Sequence, residues 1–239
     1  MGRLVKFLNE ATEEEVLEIL KRDCKPYIKE LKKFKEGKQL WRGTYNKVGD
    51  IRKFRARKNR QPLHTWEGLH NAMDRIAKKV VGFPLRSQGV FTTTSEYTSC
   101  IFGQPYPFYP IGNFTAFWLE DIADSRYLTP PWMERAFEDL VAIDDVYPLF
   151  KSWYNLSSLE WPYKNVKPIE ETDNEKILKR LREEGEKILV DIMKKYKKDN
   201  LKNAFKTPEG VEVIVKCKEY YLISYHYKEI HEKLRKNLK

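Results

Sequence analysis

Three short runs of strand-forming residues, far apart in the chain, constrain its fold more than any other feature. They are Lys38-Gln39-Leu40-Trp41-Arg42-Gly43-Thr44, Gly89-Val90-Phe91-Thr92-Thr93-Thr94-Ser95 and Val211-Glu212-Val213-Ile214-Val215. Each carries polar chemistry where an apolar side chain would be easier to bury: a guanidinium, then a cluster of hydroxyls, then a carboxylate. In Val211–Val215 the neighbours are strongly strand-forming, so Glu212 stands out on what reads as a central strand. Alternation along the second run points Thr93 and Ser95 to one face and Thr92 and Thr94 to the other. The set has a joint meaning only if the fold brings the three runs to one cleft.

The remaining sequence is mostly helical. Thr12-Glu13-Glu14-Glu15 predicts a capping box, with Thr12 as N-cap and Glu15 three residues on. It opens a helix with Val16, Leu17, Ile19 and Leu20 as an apolar stripe. Pro26 starts a second, basic helix through Tyr27, Ile28, Leu31 and Phe34, and Gly37 fits its stop. These form an N-terminal helical segment over 12–36. Pro62 and Thr65 introduce a helix through Leu69, Met73, Ile76 and Val80, ended by Gly82 and Pro84. Residues 102–110, crowded with Pro105, Pro107 and Pro110, are expected to be an irregular aromatic loop. A strand through Phe114, Ala116, Phe117, Trp118 and Leu119 follows. A mostly helical insertion is expected at about 120–205, amphipathic over 174–198 and interrupted by Gly185. A strand over Tyr220–Ser224 and a short basic helix with Ile230, Leu234 and Leu238 close the chain. Helices precede and interrupt the strands without regular alternation, which predicts an α+β fold rather than a parallel α/β sheet. The whole of 1–239 is expected to be a single catalytic domain.

Charge is distributed unevenly. The chain of 239 residues carries a net +10, with residues 21–90 summing to +14 and residues 91–150 to −7. The densest patch runs from Lys47 through Arg52, Lys53, Arg55, Arg57 and Lys58 to Arg60, against one acid, Asp50. Such a cluster suits nucleic acid or the diphosphate of a dinucleotide; the plainer expectation is a solvated loop. No apolar run is long enough to span a bilayer, and no signal-peptide pattern is seen, so a cytoplasmic protein with no membrane partner is expected. Cys24, Cys100 and Cys217 share no metal-ligand spacing and fit a reducing compartment.

Several chemistries lack sequence support. Neither GxGxxG nor GxxxxGK[ST] is present, nor HExxH or paired CxxC, so no metal is expected. None of His64, His70, His226 and His231 pairs with a nucleophile as a hydrolase triad would require. The three runs remain. Arg42 at a strand end can fork two phosphate oxygens, and Gly43 beside it allows close approach of a ligand.

Leu40-Trp41-Arg42-Gly43, Phe91-Thr92-Thr93-Thr94-Ser95 and Glu212-Val213-Ile214-Val215, in that order, resemble the arginine–serine–glutamate clade of ADP-ribosyltransferases, the group related to cholera toxin and to small phage-encoded transferases. The resemblance covers about half of the chain. It implies a split, mixed or antiparallel β-sheet core, NAD as substrate, and transfer of ADP-ribose to a macromolecular acceptor, protein or nucleic acid. If the chain is phage-encoded, the compartment would be the host cytoplasm. By the same resemblance, Arg42 would hold the NAD phosphates or the nicotinamide-side ribose. Gly43, Thr93, Thr94 and Ser95 would lie against NAD, with Thr93 and Ser95 positioning it and the carboxylate. Glu212 would bind the ribose 2′-hydroxyl and stabilise the oxocarbenium-like transition state. Gly210 stands where arginine-modifying members carry Glu or Gln, which leaves other acceptors open. The alternative is a non-catalytic nucleic-acid-binding protein that uses Arg52, Lys53, Arg55, Arg57, Lys58 and Arg60 with the aromatics of 102–110.

Overall fold

A computed structural model describes residues 11–35, 37–61, 67–120, 129, 131–137, 174–198, 201–206 and 210–236. The chain forms two compact units. One comprises Met1–Lys58, Gly89–Asp124 and Lys197–Lys239, the other Asn59–Gln88 and Ser125–Tyr196. The first unit holds a mixed helix-and-strand fold around a seven-stranded antiparallel sheet. Its strands are β1 (Trp41–Thr44), β2 (Ile51–Arg55), β3 (Val90–Thr93), β4 (Gln104–Pro110), β5 (Thr115–Trp118), β6 (Glu212–Lys216) and β7 (Glu219–Ile223), in the spatial order β2-β7-β4-β1-β3-β6-β5.

Two N-terminal helices, α1 (Glu13–Asp23) and α2 (Lys25–Leu31), pack on this unit. Thr12 and Glu15 form the expected capping box, and Pro26 lies in the first turn of α2. Both helices bury the stripe that the sequence predicts, Val16, Leu17 and Leu20 on α1 and Tyr27, Ile28 and Leu31 on α2. The Tyr27 hydroxyl accepts the Leu40 amide at 2.9 Å, and the ring meets Tyr109 edge-on at 5.6 Å, so α2 is fixed against β4 and the entry to β1.

The segment 102–110 departs from expectation. It is largely strand, not an irregular loop, and Tyr106–Pro110 are buried. The Phe108 amide donates to Leu40 of the β1 side, which turns the even-numbered amides of β4 toward β1 and the odd-numbered ones away. Pro105 and Pro107 therefore lack an N–H on the side where β7, paired only with Phe108–Pro110, does not reach. Pro110 is the last residue of the strand, beyond the β1 register of Gln104–Pro107. Each proline sits where the ladder needs no donor.

The basic run also differs from the solvated loop expected. Ile51–Arg55 is a strand at the sheet edge, paired with β7 over its whole length. Exposed Lys53 and Arg55 both meet Glu219 of β7, at 2.7 and 3.3 Å. Charged side chains on an edge strand discourage pairing with another chain.

In the second unit, α3 (Glu67–Val80), α4 (Leu85–Gln88), α6 (Pro131–Ala136) and α7 (Asn174–Lys195) are helical, while α5 (Glu96–Ser99) belongs to the first. The helix expected around Gly185 is continuous. A Cβ at Gly185 would come within 2.7 Å of the Phe137 ring, so glycine here makes room for a neighbour and does not break the helix. Residues 138–173, most of the expected helical insertion, lie outside the described residues, as do Pro62, Thr65 and Leu238. A last helix, α8 (Ile230–Lys236), closes the first unit. Among the described residues, no helix is long and apolar enough to cross a membrane.

Candidate active site

The three runs that stood out in sequence lie on three neighbouring strands, β1, β3 and β6. Trp41 pairs with Thr93, and Thr93 with Glu212. Cross-strand partners share a face, so Trp41, Thr93 and Glu212 form one row across the sheet, about 10 Å from end to end at two strand spacings. Thr93 and Glu212 are both buried.

The neighbouring hydroxyls are committed to the backbone. The Thr92 hydroxyl donates to the Val213 carbonyl at 2.7 Å, and Thr94 Oγ1 accepts the Val211 amide at 3.0 Å. These two side chains fasten β3 to β6. Thr93 Oγ1 accepts the Ser95 amide at 3.2 Å, which turns the chain out of the strand. Ser95 is the N-cap of α5 and accepts the Thr98 amide at 3.2 Å, so neither Thr94 nor Ser95 continues β3 as the alternation reading assumed. Gly210, at φ +82, leads into β6 against Ser95. A Cβ there would lie 2.4 Å from the Ser95 Cβ.

Arg42 takes another direction. It lies within β1 opposite Tyr106, one position along from the Trp41–Thr93–Glu212 row, and alternation sets it on the opposite face. Its guanidinium donates to the Phe91 carbonyl at 2.6 Å and sits 5.8 Å from the centre of the Tyr220 ring. Tyr220 stacks with Phe54 and packs on Phe108, which follow the register of that same face. Burial pushes the Cys217 thiol up to about 12, opposed by the nearby Arg42 charge. Among the described residues, β1 meets β3 at one register pair, so the two strands part beyond Trp41 and the Arg42 guanidinium bridges the gap. Gly43 does not make room for a ligand. A Cβ at that position would come within 2.0 Å of the Ser99 carbonyl and 2.9 Å of the Phe102 Cβ, so the space it leaves is filled by the end of α5 and the segment after it.

A cleft of about 270 Å³ opens beside this row. Lys38 and Trp41 of the first run line it, with Thr94 and Ser95 of the second and Gly210 from just before the third; Glu96 and Tyr97 extend its wall. Arg42, Thr93 and Glu212 are not part of that lining. The cation in the wall is thus Lys38, which no motif singles out. Glu96, the acid in the wall, likewise carries no motif of its own. Its partner Tyr225, which Lys228 bonds in turn, is remote in sequence and is found only from the fold. Of the basic patch, Arg52 donates to the Lys47 carbonyl at 2.8 Å and lies over the Phe54 ring, while Arg57 and Lys58 follow the strand. Arg60 falls in the second unit, where its amide donates to Ser87. Among the described residues, no group of His, Cys, Asp and Glu is placed to hold a metal ion. A larger cavity of about 490 Å³, bounded by Lys47, Asp50, Gln104, Tyr106, Ser224 and His226, contains none of the motif residues.

Comparisons with known protein families, with curated proteins and with solved structures find no match to this chain.

Proposed function

We propose that the chain is a mono-ADP-ribosyltransferase that breaks the nicotinamide–ribose bond of NAD and passes ADP-ribose to a macromolecular acceptor. One observation carries the reading: residues of the first two motif runs, with Gly210 just before the third, line a single cleft, beside a row in which Thr93 lies between Trp41 and Glu212. A carboxylate held beside a ribose carbon as nicotinamide leaves opposes the positive charge that develops there, and does so best where water is excluded. Burial of Glu212 suits that task. The split between β1 and β3 agrees with the divided sheet that the resemblance implies. At about 270 Å³ the cleft lies just under the usual range of small-molecule sites, roughly 300–1,000 Å³, and would take the nicotinamide–ribose end of the dinucleotide.

The roles differ from the simplest transfer of the motif. Lys38, in the cleft wall, is the cation placed for the diphosphate. Arg42 acts as a positioning residue that ties β1 to β3. The Lys53 and Arg55 charges are shared with Glu219, which weakens the non-catalytic nucleic-acid reading. The net charge of +10 favours an acceptor with an acidic surface.

The test is nicotinamide release from NAD by the purified chain. Wild type should turn over, and Glu212→Gln should lower kcat by about 100-fold or more while binding NAD with little change. If wild type releases no nicotinamide with any acceptor supplied, the transferase reading fails.

A further inference from the structure

Glu96 is the acid in the wall of the cleft, and it is only half-buried, so it can meet a ligand. Its Oε1 accepts the Tyr225 hydroxyl at 2.5 Å. The Tyr225 oxygen in turn accepts Lys228 Nζ at 3.0 Å, and that bond raises the Lys228 pKa above its ordinary value. Lys228 also lies 4.5 Å from the centre of the Tyr225 ring, and Tyr225 packs against Trp41 at 6.3 Å. The backbone of this segment is anchored too: buried Gln39 donates to the Lys228 carbonyl at 2.9 Å. Ammonium, phenol and carboxylate therefore form a chain that originates in the segment after β7 and ends at the cleft. It anchors Oε1 and, among the described residues, leaves the other carboxylate oxygen for a ligand. Charge-assisted bonds of this kind are stronger than neutral ones and hold a side chain in one rotamer.

We propose that Glu96 is the general base for the acceptor, orienting the attacking N–H or O–H and removing its proton. The inference rests on the transferase reading above. The C1′–N bond to nicotinamide breaks and its electron pair leaves with the ring, which becomes neutral. The acceptor's lone pair forms the new bond to C1′. The acceptor's proton passes to Glu96 and from there to water. Glu212 and Glu96 then divide the work, one beside the ribose cation and the other beside the incoming nucleophile. Tyr225 and Lys228 are positioning residues in this scheme. The acceptor class is any group that arrives with its proton, a guanidinium or an alcohol.

The experiment measures, for each variant of the full chain, ADP-ribosylated product and free ADP-ribose from the same NAD reaction. Agmatine serves as the N–H probe and N-acetylserine amide as the O–H probe. Glu96→Gln should lower the ratio of transfer to hydrolysis by about tenfold or more with whichever probe wild type uses. Tyr225→Phe, which keeps the ring against Trp41, should lower it by a smaller factor. An unchanged ratio in both variants would overturn the proposal. So would a wild type that releases nicotinamide but transfers to neither probe, an outcome that leaves the NAD-cleaving reading standing. If Glu96→Gln does not fold, both products vanish and Tyr225→Phe decides. A wild type that releases no nicotinamide defeats the transferase reading itself, and this inference with it.

Discussion

On β2, at one edge of the sheet, Lys53 and Arg55 reach Glu219 of β7; on β3, near the other edge, Thr92 and Thr94 reach the backbone of β6. Both regions looked unusual in sequence, one for its cations and one for its hydroxyls. Their energetics differ. The edge pair is partly solvated and contributes at most about 1 kcal/mol, whereas loss of the Thr94 hydroxyl would leave the buried Val211 amide without its acceptor at about 1–3 kcal/mol. A polar residue on a strand points to chemistry only after its own partners have been subtracted. That subtraction removes Thr92, Thr94, Lys53 and Arg55; the site reading rests instead on where the Trp41–Thr93–Glu212 row and the Lys228–Tyr225–Glu96 chain lie, beside the cleft.

The sharpest break of this comparison is at Gly43. Gly43→Ala would drive a methyl into the Ser99 carbonyl, 2.0 Å away, and force β1 from the end of α5. A loss of about 1–3 kcal/mol is expected, read as a lower denaturant midpoint. A wild-type midpoint in the alanine variant would mean that the backbone there yields freely and that Gly43 has another purpose. Next in size is Thr92→Val, which keeps the shape and removes the 2.7 Å bond to Val213. It should cost about 1–2 kcal/mol with turnover per folded molecule unchanged; a loss of activity without loss of stability would move Thr92 from fastening to catalysis.

The smallest effect is at the edge and depends on pH. The hydrogen bond from Lys53, then its charge and those of Arg55, hold the Glu219 carboxyl below its ordinary value. Because the folded pKa is depressed, the contribution is complete above the ordinary carboxylate range, near pH 4–5, and disappears as pH falls through the folded value. Glu219→Gln should therefore lower stability by about 0.5 kcal/mol at pH 7 and by nothing measurable at pH 2. An equal gap at both pH values would show that the pair is not the cause.

Much of the fold was legible because local signals agreed. The capping box at Thr12 and Glu15, the Pro26 restart and the β-branched run after Glu212 each appear where the sequence places them. What was not legible depends on contacts remote in sequence. Pro105, Pro107 and Pro110 argue against a strand until it is known that β1 and β7 flank different halves of β4. Ile51–Arg55 reads as solvated because its acid, Glu219, is remote in the chain. At the candidate site, the side-by-side placement of β1, β3 and β6 follows the order of the motifs, but the direction of Arg42 does not. A one-residue offset moves a side chain to the other face, and register is set by the partners rather than by the motif. Glu96 follows the second run directly, yet its meaning depends on Tyr225 and Lys228, which no spacing rule connects to it.

The most direct measurement is a crystal structure of the chain with a non-hydrolysable NAD analogue. The account predicts the nicotinamide-side ribose between Glu212 and Trp41, the diphosphate near Lys38, and Arg42 still bonded to the Phe91 carbonyl. An analogue bound instead in the cavity between Gln104 and His226, or one whose diphosphate is held by Arg42 while the cleft beside the Glu212 row is empty, would contradict it.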